Sequence, residues 1–233
     1  ISHRTKDFEA VNDEAEALFR ELLHIPDNYK VLFLGGGAST QFFEVPYNFL
    51  EKKAGYVNTG VWAKKAIKEA KLFGEVEVLA SSEDKNFAYI PKGYAIPSDL
   101  DYLHITSNNT IYGTEYHTDI DSPVPLIADM SSDILSRPVD VSKYGLIWAG
   151  VQKNVGPAGM AVVIIREDLA GHALPYTPLM MNYQTMIDKD SMYNTPPCWC
   201  IYMTGLVLKY LEDDIGGLAK MQEINEAKAK VLY

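Results

Sequence analysis

Short apolar runs that alternate with helical segments are the feature that most constrains how this 233-residue chain can fold. Most of these runs are continuously hydrophobic, which is typical of strands buried on both faces of a sheet. Residues 7–23 have the 3.6-residue periodicity of an amphipathic helix, and helical segments recur between later runs. The sequence therefore predicts an α/β fold, a mostly parallel sheet with helices on both faces. The predicted strands are YKVLFL, AGYVNTG, VEVLAS, DYLHITS, PLIADMSS, GLIWAG and AVVIIRE.

Length and composition favour one large domain over residues 1–233, since 47% of the residues are hydrophobic and can bury one sizeable core. The net charge of −10, without a dense stripe of Lys and Arg, argues against a nucleic-acid partner. We find no signal peptide and no apolar stretch long enough to span a membrane, so we expect a cytoplasmic protein. The start without Met and the end in helical sequence indicate a part of a longer protein.

The two cysteines, Cys198 and Cys200, form a C-W-C arrangement. They are too close for an ordinary disulfide, and no second pair completes a zinc site, so we predict no metal centre. Their low number suits a reducing cytoplasm.

A glycine turn, GGGAST at residues 35–40, lies between a predicted strand and a predicted helix. Free backbone N–H groups and hydroxyls at a helix N-terminus favour a bound anion, with phosphate the natural guest. The alternative is an ordinary glycine turn whose serine caps the helix. No GK[ST] follows, so the turn is not a Walker loop.

Gly35, Asp129 and Lys153 each follow an apolar run, and the carboxyl ends of parallel strands collect ligand-binding groups at one edge of a sheet. Desolvation would lower the pKa of a lysine held between packed strands, so that its neutral amine could act as a nucleophile. The alternative is a solvated lysine, which is the usual case at a turn. Asp129 is either a turn carboxylate or the partner of a cationic ligand group. Trp62 is either a core residue or a residue whose indole stacks on a planar ligand, and Thr110 has an ordinary role in a turn as its alternative.

Six sequence blocks together resemble the consensus of the phosphoserine aminotransferases, which are class-V, fold-type I enzymes that depend on pyridoxal phosphate. The resemblance covers essentially the whole chain, and Asp129 and Lys153 lie 24 positions apart, near the family spacing. The blocks are GGGASTQF, NTGVWAKKAIKEA, SSEDKNFAYIP, TSNNTIYGTEYH, ADMSSDILSRPVDVSKYGLIWAGVQKNVGPAGM and DSMYNTPP.

The resemblance implies a cofactor site for pyridoxal 5'-phosphate. Lys153 matches the lysine that carries the cofactor, and Asp129 matches the partner of its ring nitrogen. Trp62 matches the residue stacked on the pyridine ring, and Thr110 the hydrogen-bonding partner near the ring hydroxyl. The residues that match phosphate contacts are Ala38, Ser39 and Gln152, with Asn194 and Thr195 from the other subunit of a homodimer.

The resemblance also implies a reaction between small-molecule substrates. Glutamate and 3-phosphohydroxypyruvate would give 2-oxoglutarate and O-phosphoserine in serine biosynthesis, and the related step of pyridoxine biosynthesis stays open. His3 and Arg4 match residues that meet the substrate's anionic groups. The chain departs from the family pattern in two ways. The family's amino-terminal start and its small carboxyl-terminal domain are both absent, and Ser39 stands where some relatives carry arginine.

Other readings remain open beside this one. Another fold-type I pyridoxal-phosphate enzyme, such as an alanine–glyoxylate aminotransferase or a cysteine desulfurase, has a similar fold. A desulfurase needs a mobile catalytic cysteine, whereas Cys198 and Cys200 flank Trp199 at the start of a predicted apolar helix. A non-catalytic phosphate-binding module would use GGGAST alone.

Overall fold

The structure, a computed structural model, describes residues 2–232 and is built on a central sheet. The strands are β1 (Tyr29–Gly35), β2 (Lys53–Asn58), β3 (Glu75–Ser81), β4 (Tyr102–Thr106), β5 (Asn108–Asn109), β6 (Thr114–Glu115), β7 (Leu126–Asp129), β8 (Leu146–Gly150) and β9 (Met160–Arg166). The helices are α1 (Lys6–Leu23), α2 (Ala38–Phe49), α3 (Val61–Ala70), α4 (Tyr183–Ile187), α5 (Cys198–Lys209) and α6 (Leu218–Leu232). No helix within these residues has both the length and the apolarity needed to cross a membrane.

The main sheet has seven strands in the order β1-β9-β8-β7-β4-β2-β3. Four neighbouring pairs are parallel, and β9 is antiparallel to both β1 and β8. Because two reversals cancel, β1 points in the same direction as the parallel strands. The predicted mostly parallel sheet is confirmed, and the carboxyl ends of β1, β7 and β8 lie at one edge.

Two apolar layers cover the two faces of the sheet. In β9, Val162 and Ile164 pack in the layer that includes α1 and α5, whereas Val163 and Ile165 pack in the layer that includes α2 and α3. All four side chains are fully buried. The strict alternation explains why this strand is continuously apolar, and it confirms the prediction of helices on both faces.

The edge strand β3 departs from the expectation of burial on both faces. Val78 is 42% exposed, and most other residues of β3 are exposed or only partly buried. The strand pairs with β2 alone and ends the sheet, so less of its surface is covered. Its alternating Glu and Val residues fit that position better than an interior one.

Residues 174–197 form a connection without a strand, as their weak periodicity indicates. Their content of Pro, Tyr, Met and Asn predicts a long excursion from the core, but this prediction is wrong for part of the segment. Tyr183 in α4 is fully buried and its hydroxyl donates to Gln41 Oε1 at 2.7 Å. The aromatics Tyr176 and Tyr193 on either side of it are exposed, so the connection is buried at α4 and exposed at other places along its length.

Helix α2 carries a buried carboxyl group, that of Glu44, on the side that packs against the sheet. Gln41 Nε2 donates to Glu44 Oε2 at 2.6 Å, while the other oxygen, Oε1, has no hydrogen-bond partner among residues 2–232. Burial raises the pKa of Glu44 to about 8, although the hydrogen bond from Gln41 opposes this shift. Glu44 is therefore mostly protonated in the folded protein at neutral pH.

We predict that Glu44→Gln increases the free energy of unfolding at pH 7 by about 3 kcal/mol. The folded pKa lies above the unfolded value, so the contribution of this carboxyl to stability is complete below pH 4.5 and is lost as the pH rises through about 8. Chemical denaturation at pH 7 and pH 4 measures the effect, which should vanish at pH 4. Glu21→Gln, at an exposed position on α1, is the control. An equal gain at both pH values would contradict the prediction.

Candidate active site

Lys153 lies in the turn that follows β8, at the carboxyl edge of the sheet. Its Nζ donates to Thr110 Oγ1 at 2.9 Å and lies 5.4 Å from the centroid of the Trp62 ring. Trp62 is in the first turn of α3, and Thr110 is in the β5–β6 connection. Three residues that are distant in sequence thus place an amine, a hydroxyl and a flat aromatic ring together.

The turn itself is closed by the Val151 carbonyl, which accepts hydrogen bonds from Val155 N at 3.0 Å and Gly156 N at 2.9 Å. Lys153 occupies the middle of this turn, and its side chain is exposed. Of the two alternatives for this lysine, the structure therefore shows the solvated turn residue, because Lys153 projects beyond the strand ends. Its position depends on the turn rather than on enclosure by the sheet.

Asp129 is the last residue of β7 and is only 5% exposed. Its Oδ1 accepts from Ser131 N at 3.0 Å, and it forms no ion pair within 4 Å with any side chain in residues 2–232. Burial raises the pKa of Asp129 to about 6, against the hydrogen bonds from Ser131 and the charge of Lys153, which lower it. A cationic group bound beside this carboxylate would offset the cost of its desolvation.

The glycine turn begins α2 without a side-chain cap. Gly37, at φ 75°, is the N-cap residue, and the Thr40 hydroxyl donates back to the Gly37 carbonyl at 2.6 Å. Ser39 lies inside the helix and is exposed. The alternative of a serine-capped turn is therefore wrong, and the first amide groups of α2 are available to an anion.

Ala38 and Gln152 meet over Gly150, at the end of β8. A Cβ atom added to Gly150 would lie 2.7 Å from the Ala38 Cβ and 2.7 Å from Gln152 Oε1. The N-terminus of α2 and the turn that carries Lys153 are thus in close proximity. Gly36 N also donates to the Gly159 carbonyl at 3.2 Å, which joins the glycine turn to the loop after Lys153.

Four of the candidate residues do not join this group in the single chain. Asn194 and Thr195 are exposed just before α5, where Asn194 lines a cavity of about 290 Å³ together with Gly35 and Gly36. Near the start of the chain, Arg4 Nε donates to His3 Nε2 at 3.3 Å. No hydrogen bond in residues 2–232 connects His3 or Arg4 to Lys153.

Sequence reasoning did not identify two residues that contact the candidate site residues. Ser131 donates its backbone N–H to Asp129, and its Oγ accepts from Gly150 N at 3.0 Å, so it links the ends of β7 and β8. The only signal was its place in the MSSD segment after Asp129. Lys65 Nζ lies 4.5 Å from the Trp62 ring centroid, and the three-residue spacing on a helix could have indicated it.

Comparisons with known proteins agree on one family. The sequence matches the family described as aminotransferase class-V over residues 1–233. A curated phosphoserine aminotransferase from Phocaeicola vulgatus is 60% identical over 233 residues, and this chain covers 65% of that protein. The chain therefore spans somewhat less than two thirds of the length of such curated relatives.

Solved structures show the same relationship. A phosphoserine aminotransferase from Bacillus circulans subsp. alkalophilus superposes with a TM-score of 0.97 at 50% identity, covering all of this chain and 66% of the other. A phosphoserine aminotransferase from Trichomonas vaginalis, described as bound to PLP, has a TM-score of 0.95 at 40% identity, with coverage of 100% and 71%. The predicted resemblance is confirmed over the whole chain.

We predict that Asp129→Asn stabilises the cofactor-free protein above pH 7 by about 3 kcal/mol. The folded pKa of Asp129 is raised from 3.8 to about 6, so its stabilising contribution is complete below pH 3.8 and is lost as the pH rises through 6. The amide oxygen can still accept from Ser131 N. Denaturant unfolding at pH 8 and pH 4 tests this, with Asp13→Asn on the exposed face of α1 as the control. A destabilised Asp129→Asn protein at pH 8 would refute the interpretation.

Proposed function

The chain belongs to the aminotransferase class-V family and, within it, to the phosphoserine aminotransferases, and on this premise we propose that its protein binds pyridoxal 5'-phosphate and transfers amino groups. The proposed reaction takes the amino group of glutamate to 3-phosphohydroxypyruvate and yields O-phosphoserine and 2-oxoglutarate. The observation that carries this proposal is the joint placement of Lys153, Thr110 and Trp62 beside the buried, unpaired carboxylate of Asp129.

The residues present fit the proposed cofactor. Trp62 offers an aromatic face for a planar ring, and Lys153 Nζ lies above that face at 5.4 Å. The carboxylate of Asp129 suits a protonated ring nitrogen, because it is buried and forms no ion pair within 4 Å in the described chain. Ala38 and Ser39 form the uncapped N-terminus of α2, and Gln152 lies beside it; the positive end of the helix dipole there favours a phosphate.

Each of these residues has a distinct chemical task in the proposed reaction. When bound, pyridoxal phosphate supplies an electron sink for the substrate's α-carbon. Lys153 would hold the cofactor covalently through its Nζ, and the same nitrogen, when free, would move the α-proton of the substrate. Asp129 would keep a proton on the ring nitrogen, and Thr110 orients Lys153 through the 2.9 Å hydrogen bond.

The same proposal extends to the substrate, the assembly and the cellular role. His3 and Arg4 would bind the substrate's anionic groups, for which the forked guanidinium of arginine is well suited. Asn194 and Thr195 of one subunit would reach the cofactor phosphate of its partner in a homodimer, and their exposure in the single chain is compatible with this. Tyr176 and Leu179, both exposed, suit a subunit interface. The role would be cytoplasmic serine biosynthesis, with the related step of pyridoxine biosynthesis as a further use.

The rival functions have less support. The cysteine of a desulfurase must be mobile, whereas Cys200 is buried in α5 and its Sγ donates to the Ala158 carbonyl at 3.4 Å. The 60% identity to a phosphoserine aminotransferase favours this activity over alanine–glyoxylate transamination. A phosphate-binding module would need neither an amine beside an aromatic ring nor a buried carboxylate.

We predict that Lys153→Ala abolishes transamination while cofactor still binds through its phosphate, because no other group both attaches the cofactor and moves the α-proton. Visible absorption and borohydride trapping on the full-length protein measure covalent attachment. Lys65→Ala, which removes the other ammonium near Trp62, should retain trapping and is the matched control. Trapping that persists in Lys153→Ala would assign the attachment to a different lysine.

We predict that two inactive full-length variants complement each other in a heterodimer. One is Lys153→Ala, and the other is the double variant Asn194→Ala, Thr195→Ala. After subunit exchange, one site of the heterodimer receives an intact Lys153 from the second variant and an intact Asn194 and Thr195 from the first. Transamination should therefore return on mixing. An impaired double variant that regains no activity in verified heterodimers would place the pair within its own site.

A further inference from the structure

The G-P-A-G turn at residues 156–159 connects the two anchors of the candidate site. At its start, Gly156 N donates to the Val151 carbonyl at 2.9 Å and so closes the turn that carries Lys153. At its end, the Gly159 carbonyl accepts from Gly36 N at 3.2 Å, in the glycine turn. A displacement of this segment would therefore move Lys153 and the glycine turn relative to each other.

Helix α5 packs against the same segment at two points. A Cβ atom added to Gly156 would lie 2.7 Å from Thr204 Oγ1, and real Cβ atoms essentially never approach so closely. One turn earlier in the helix, Cys200 Sγ donates to the Ala158 carbonyl at 3.4 Å. Helix α5 also packs against α1, and Lys209 Nζ of α5 forms an ion pair with Glu14 Oε1 of α1 at 2.7 Å. Residues 156–159 therefore pack against a helix that is itself held in place by α1.

The contact between Thr204 and Gly156 is steric rather than hydrogen-bonded. Thr204 is fully buried, and its Oγ1 has no hydrogen-bond partner within residues 2–232. A buried hydroxyl without a partner costs free energy, so this hydroxyl contributes no polar stabilisation. Its β-branched side chain has few rotamers on a helix, which makes it a stiff support.

We propose that Thr204 is a positioning residue that sets the placement of Lys153 relative to the glycine turn through its contact with Gly156. This inference rests on the proposed function, in which the lysine and the phosphate site bind two ends of one rigid cofactor. A rigid ring cannot adapt to a changed separation between its anchors, so a small shift of the turn misplaces the reactive amine. Misplacement by about 1 Å can reduce a rate about 100-fold.

The test uses variants of the full-length protein that alter the contact from both sides. Gly156→Ala should lower kcat about 10- to 100-fold and slow borohydride trapping of cofactor on Lys153, with little change in KM. Adding Thr204→Ala should restore both, because it removes the atom that the new methyl group meets. Adding Thr204→Val should not restore them, because valine has a methyl group where Oγ1 lies.

Single variants provide the second arm should Gly156→Ala fail to fold. Thr204→Val keeps the shape of the support and should trap cofactor at the wild-type rate, whereas Thr204→Ala should loosen the turn and slow trapping. Gly205→Ala is the control on the same helix, because its Cβ would lie 3.9 Å from the Ala15 Cβ, an ordinary contact. Thermal unfolding of each cofactor-free variant separates misplacement of Lys153 from a general loss of stability.

The outcomes distinguish this inference from the function on which it rests. Wild-type trapping rates in Gly156→Ala and in Thr204→Ala would overturn the positioning role while leaving the proposed function intact. Equal rescue by Thr204→Ala and Thr204→Val would also overturn it, because the steric contact would then be irrelevant. A wild-type protein that traps no cofactor at all would overturn both.

Discussion

The antiparallel placement of β9 between β1 and β8 is the constraint on which the site depends. Both turns that flank the candidate cofactor site are hydrogen-bonded to the start of this strand. Gly36 N donates to the Gly159 carbonyl, and Val151 N donates to the Met160 carbonyl at 3.2 Å. Since residues 161–165 are fully buried, β9 is fixed within the sheet, and it holds the glycine turn and the turn of Lys153 at one edge.

Three buried carboxyl groups are costly to ionise in the folded chain, whose net charge is already −10. Burial raises the pKa of Asp129 to about 6, of Asp133 to about 7 and of Glu44 to about 8. Glu44 and Asp133 have neutral hydrogen-bond donors, Gln41 and Ser107, and can remain protonated. Asp129 lies at the edge of the site beside Lys153. A cationic group bound there would offset the desolvation of the Asp129 carboxylate, and this gain would strengthen binding of that group.

The sequence predicted the elements well because their signals are local. Continuous apolar runs located the strands of the main sheet, and the glycine turn located the start of α2. The errors arose where burial depends on neighbours that the local sequence does not specify. The apolar residues of β3 lie at an edge, and Tyr183 is buried although its segment has a loop-like composition.

The sequence by itself determined the α/β class, the order along the chain of the strands of the main sheet, and the family, because these follow from periodicity and from motifs contiguous in the chain. Only the tertiary structure decided which candidate residues meet. It joined Lys153 to Thr110 and placed Ala38 against Gln152, while His3 and Arg4 have no hydrogen bond to Lys153 in the described chain. The contact of Thr204 with Gly156 carries no sequence signal, because close approach between distant segments depends on how helices pack on the completed sheet.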